Sequence, residues 1–136
     1  MKRILFATIV GAALLAMPAQ AGSGASVVIQ HKVRGCHAWS VNAGPYKASQ
    51  VAQIKRGGSI MFMNNDVMPH KLVKLQGPAV VIRHAAMAHM SATATIKFTH
   101  AGTYVFKTKV GEDYKNMKHI STKGKDNVLR LTVHVG

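Results

Sequence analysis

Apolar residues recur at every second position in segment after segment of this chain, and nowhere beyond residue 21 does a useful length show helical spacing. Alternation is the period of a strand with one buried face. SVVIQHKV (26 to 33) is rich in β-branched residues, and VAQIKRGGSIMFMNND (51 to 66) reads as two strands joined in a hairpin at Gly57-Gly58. KLVKLQ (71 to 76) is a further short strand, stopped by Gly77-Pro78. ATIKFTHAGTYVFKTK (94 to 109) reads as a second hairpin that alternates through Ile96 and Phe98, turns at Ala101-Gly102 and returns through Tyr104 and Phe106. NVLRLTVHV (127 to 135) closes the chain. Roughly seven strands over about 110 residues predict an all-β, single-domain, antiparallel sandwich with Greek-key connections.

The first 21 residues read as a secretory signal peptide and stand apart from that domain. Lys2 and Arg3 form a basic start, ILFATIVGAALLAM an apolar core too short to span a membrane, and Ala19-Gln20-Ala21 an A-x-A cleavage site. The expected organisation is therefore a signal peptide over 1–21 and one domain over 22–136, exported to a bacterial periplasm or secreted. Without Lys2 and Arg3, sixteen basic residues stand against four acids, a formal charge of +12. Such a field steers an acidic protein partner, or an anionic membrane surface, toward the domain. Nucleic acid is not an expected partner, because the basic residues are scattered and aromatics are few.

Cys36 is the only cysteine. It has no internal disulfide partner, and an exported lone thiol leaves three readings open: a buried apolar residue, an intermolecular disulfide or a metal ligand. The acids are only Asp66, Glu112, Asp113 and Asp126, with no Ser/His/Asp or paired-carboxylate arrangement, so an enzyme is not expected.

GGSIMFMNNDVMPHKLV (57 to 73) resembles the cupredoxin pattern of a glycine-containing turn, an apolar strand, Asn-Asn-Asp, a short loop and a histidine. The resemblance implies that His70 is a copper ligand. FTHAGTYVFKTKVGEDY (98 to 114) is similar to the family's second signature, an apolar strand, Gly-Thr-Tyr and a strand leading into the ligand loop. There the chain departs from the family. Thr108 stands at the cysteine position and Gly111 at the histidine position, so that loop does not supply an ordinary blue-copper site.

If the family fold holds, His70 marks one pole of the sandwich, and strand direction sends other segments there. The first strand ends there, at Arg34-Gly35-Cys36-His37, and the strand from Thr93 begins there, just after RHAAMAHM (83 to 90). The expected metal ligands are Cys36 thiolate and the His70 and His89 imidazoles, with Met90 or Met87 as a weaker axial sulfur. His37, Met68, His84, Met117 and His119 are further candidates. His31, His100 and His134 read as surface, and Met61, Met63 and Trp39 as core. Thiolate, thioether and imidazole together favour copper, Cu(I) above all. The expected function is electron transfer through one copper ion (Cu+/Cu2+), docked to an acidic redox partner. Two alternatives stay open: a Cu(I) carrier, storage or copper-tolerance protein, and a metal-free basic interaction module.

Overall fold

A computed structural model describes residues 22–31, 37–109 and 129–136. Every element within them is a strand: β1 (Gly22–His31), β2 (His37–Val41), β3 (Ser49–Asn64), β4 (His70–Gln76), β5 (Ile82–Arg83), β6 (Ala86–Met87), β7 (Thr93–Lys97), β8 (Gly102–Lys109) and β9 (Arg130–Val135). The all-β class expected from the alternation is the class observed. The predicted signal peptide lies outside the described residues, as do Cys36, Gly111, Met117 and His119.

The strand neighbours differ from those expected. Residues 51 to 64 do not fold back as a hairpin. They belong to one sixteen-residue strand, β3, whose first half pairs parallel with β9 and whose second half lies between β1 (parallel) and β7 (antiparallel). Gly57 adopts φ +87°, and a Cβ on Gly58 would stand 2.4 Å from the Ser23 carbonyl oxygen. The two glycines let the strand bend and pass close beneath β1, which is the other use of glycine in a strand. Arg56 N–H donates to Gly136 O and Gly57 N–H to Phe98 O, so the bend is bonded to both halves of the sheet.

The second expected hairpin is also absent. β7 pairs with β3 and β5, whereas β8 pairs with β4 and β9. The link between β7 and β8 crosses from one half of the sheet to the other, and the rings it carries meet inside. Phe98 packs edge-on against Tyr104 at 5.0 Å and lies 6.2 Å from Phe106, itself 6.3 Å from Phe62 of β3. Two halves, β2-β1-β3-β7-β5 and β3-β9-β8-β4-β6, thus face each other across one core, hinged on β3. Trp39 is buried in that core as expected; Met61, expected there as well, is 46% exposed, because it alternates with inward-facing Ile60 and Phe62.

Register places one end of the sandwich in detail. His31 at the end of β1 stands opposite His37 at the start of β2, and Ile29 is level with Asn64 at the end of β3. β7 starts beside Met63, His70 at the start of β4 faces Met87 of β6, and Lys71 faces Lys109 at the end of β8.

Candidate metal centre

Seven strand ends therefore meet at the same place, and the loop from Asn64 to His70 ties them together. Asn64 is fully buried. Its Nδ2 donates to the carbonyls of Met68 (2.8 Å) and Met87 (3.1 Å), and its Oδ1 accepts the Asp66 N–H at 2.9 Å. Asp66 Oδ1 in turn accepts the Met68 N–H at 3.1 Å, so two Asx turns follow one another and fix the loop. The Asn64 backbone also holds the segment before β7, through Ser91 N–H to Asn64 O and Asn64 N–H to Ala92 O.

His37, Asp66 and His70 form the buried centre, at 3%, 2% and 0% exposure. The two imidazoles meet edge to face with centroids 4.9 Å apart. Asp66 Oδ2 reaches both: His70 Nε2 lies 3.1 Å away in a hydrogen bond, and His37 Nδ1 lies 2.5 Å away. His37 Nδ1 is in ion-pair contact with Asp66, and neither His37 nitrogen makes a hydrogen bond. A carboxylate only accepts, so His70 carries its proton on Nε2 and keeps a lone pair on Nδ1. That Nδ1 is buried without a partner, and so is Thr108 Oγ1.

Burial shapes the protonation of this group. Desolvation and the nearby His37 ring lower the His70 pKa below its ordinary 6.5, outweighing the hydrogen bond and charge of Asp66. Burial alone would raise Asp66; the His70 hydrogen bond, the Met68 N–H and the two imidazoles together hold it below 3.8. The centre is thus an ionised carboxylate between imidazoles, with His70 favoured in its neutral, metal-binding form.

Of the residues expected as ligands, His70 and Met87 come together: they are cross-strand partners and both are fully buried. Such pairs bring their Cβ atoms to about 4.5–5.5 Å. His89 and Met90 are exposed, and His89 Nδ1 lies 2.9 Å from the Met90 carbonyl. His84 is exposed as well, at φ +54°. Cys36 lies outside the described residues, directly before His37 in the chain.

Two site residues escaped the sequence reading. His31 is exposed as expected, yet its ring is 5.2 Å from that of His37. One nitrogen each from His31 and His37 and an Asp66 oxygen all lie within 4.8 Å of one another. Asp66 had a signal of its own: it is the only acid before residue 112, and it stands four residues from the motif histidine.

No protein-family model matches the chain, and no curated protein does. Solved structures do. A purple cupredoxin from Nitrosopumilus maritimus matches at 15% identity over 82% of this chain and 99% of its own, with a TM-score of 0.47. A Cu(I) form of an amicyanin mutant matches at 17% over 82% of each chain, with a TM-score of 0.45. A multicopper oxidase matches at 18% over 84% of this chain and 42% of its own, with a TM-score of 0.46. These are likenesses of backbone course at low identity, and the strand registers describe an all-β sandwich.

Proposed function

We propose that the protein binds one copper ion at the His37/His70 end of the sandwich and uses it to carry electrons. The observation that supports this best is a concentration of unpartnered polar atoms. Among the described residues, the buried side-chain atoms without a hydrogen bond are His37 Nδ1 and Nε2, His70 Nδ1 and Thr108 Oγ1. His37 Nδ1 faces the Asp66 carboxylate, which leaves His37 Nε2, His70 Nδ1 and Thr108 Oγ1 without a partner; each such atom costs about 1–3 kcal/mol, and a fold that tolerates several at one strand-end cluster is suited to a ligand there. The donors on offer are imidazole nitrogen and the Met87 thioether. Cys36 adds a thiol one residue from His37, where consecutive Cα atoms are about 3.8 Å apart. Sulfur with imidazole selects copper over the harder divalent ions.

In this reading His70 binds through Nδ1, His37 through a ring nitrogen, and Cys36 and Met87 through sulfur. His37 takes the role expected of His89, because it is buried against His70 while His89 is exposed. Bound copper would supply a one-electron couple. The protein's own part is to hold the imidazoles on strand starts, with Asp66 fixing the His70 tautomer and ring orientation. It also excludes water from His70 and limits rearrangement between oxidation states. Export to the periplasm and an acidic redox partner complete the proposal, which assigns no enzymatic reaction.

A second reading, a Cu(I) carrier, is favoured by exposed His84, His89 and Met90 on the segment leading to this end. Titration of the purified mature chain with Cu(I) and Cu(II) separates the two. One equivalent bound, with a strong visible thiolate-to-Cu(II) band and reversible cycling, supports electron transfer; a colourless protein taking only Cu(I) supports the carrier. If His70→Ala and His37→Ala both leave copper affinity unchanged, the site is elsewhere. Copper held by the folded state alone must also raise the melting temperature.

A further inference from the structure

A trough of about 730 Å3 runs along the outer face of the β3-β7-β5 half. Ser59, Thr95, Lys97 and Thr99 line its floor, Arg83 one side, and Val81, 75% exposed, the wall where the chain enters β5. The volume is that of an ordinary ligand cleft. Cross-strand register puts its two permanent cations on the same face. Arg83 pairs with Thr95 and Lys97 pairs with Ser59, so Arg83 and Lys97 are diagonal neighbours on the outer side of the sheet. Diagonal neighbours stand about 7–8 Å apart.

Neither cation has a carboxylate partner among the described residues, where the only ion pairs are those of Asp66 with His37 and His70. No acid occurs in the sequence from residue 67 to 111. Two unpaired cations at that spacing match alternate side chains of an extended strand, which repeat at about 6.6–6.8 Å. Hydroxyls between them give the trough donors for a backbone or carboxylate, and the Val81 wall gives an apolar contact. Its lining carries no Phe, Tyr or Trp and only the His100 ring at one end, a poor stacking platform for single-stranded nucleic acid.

We propose that this trough binds an extended acidic segment of a partner protein, with acids at alternate positions seated on Arg83 and Lys97 and an apolar residue against Val81. The proposal goes beyond the copper reading and does not depend on it. Ser59 lies five residues along β3 from Asn64, about 17 Å at strand rise, so a partner held here leaves the His37/His70 end uncovered. The trough would act as a tether.

The test uses the mature chain and fluorescent peptides by anisotropy, at low and moderate salt. One peptide alternates valine with glutamate; its isomer has the same composition with the acids adjacent. The alternating peptide should bind at least fivefold more tightly than the isomer, and the Arg83→Ala/Lys97→Ala double variant should lose at least tenfold. Both residues are exposed, and an unchanged melting temperature confirms that the variant is folded. A Lys47→Ala/Lys71→Ala double variant, which removes the same charge elsewhere, should lose less than twofold. Equal losses in the two double variants, or equal binding of the two peptides, would show diffuse attraction and overturn the proposal. So would phosphatidylcholine/phosphatidylglycerol vesicles that bind with the same dependence on Arg83 and Lys97 while the alternating peptide fails to compete.

Discussion

Asp66 and His70 meet inside the protein through a 3.1 Å contact between Oδ2 and Nε2, with both side chains fully shielded from solvent. Four residues separate them, and Asx turns at Asn64 and Asp66 close the loop that brings them together. The contact decides which His70 nitrogen is free. It therefore bears on the proposed metal binding without requiring Asp66 to touch a metal.

Replacing Asp66 with asparagine keeps the size of the side chain but removes its charge and lets its amide compete as a donor. Copper affinity is expected to fall about 10–100-fold, the usual cost of losing a carboxylate that orients a histidine ligand. Competition against a chelator of known affinity measures it. An unchanged affinity would mean that His70 is oriented by packing alone.

The metal-free protein should lose stability as pH falls below neutrality. His70 has a folded pKa below 6.5, so on acidification the unfolded chain takes up that proton first, and stability is lost as pH falls through 6.5. Asp66 has a folded pKa below 3.8, so its contribution is intact above 3.8 and is lost only as pH falls through the folded value. Between pH 6.5 and 4 the His70 part of the decline is at most about 1.4 kcal/mol per pH unit. Urea midpoints across this range should fall less steeply in His70→Gln than in the parent chain.

Alternation made the all-β class and the inward faces legible, since Tyr104, Phe106 and Thr108 all point inward as their spacing demands. It could not give neighbours. Period-two patterning says which face a residue takes and nothing about which strand lies beside it. Gly57-Gly58 carries the signal of a turn, although the same glycines serve a bend under β1. The place of His70 at this end is legible from its motif, and that of Met87 from the density of His and Met around it. Asp66 carried only a weak signal, its place four residues before the motif histidine, and spacing alone does not show that the fold will surround it with imidazoles. His31 was missed because a residue at the tip of a strand can be exposed and still border a buried ring.

Asn64→Ala should destabilise the fold by about 2–3 kcal/mol. It removes three hydrogen bonds, two of them buried and one partly buried, and leaves the Met68 and Met87 carbonyls without their amide donor. Thermal unfolding of the metal-free variant checks this, and a loss under about 0.5 kcal/mol, typical of surface changes, would show that the loop does not rely on it.

Ala43→Gly should do the opposite. Asn42 and Ala43 both have positive φ, 49° and 58°, and Gly44 N–H bonds back to Val41 O, the pattern of a type I′ turn. Alanine is strained there and glycine is not, so the change should add about 0.5–1 kcal/mol. The melting temperature should rise by a few degrees without any change in copper binding.

Met87→Leu separates packing from ligation. Leucine nearly conserves volume, so burial against His70 and the core should cost less than about 1.5 kcal/mol. What it removes is the thioether, a soft donor that favours Cu(I) over Cu(II). Cu(I) affinity is therefore expected to fall more than Cu(II) affinity, and the reduction potential to fall with it, because the reduced state loses more. Parallel Cu(I) and Cu(II) competition titrations on the folded variant read the difference. Equal affinities before and after the substitution would make Met87 a core residue only, and leave His37, His70 and Cys36 to hold the metal without it.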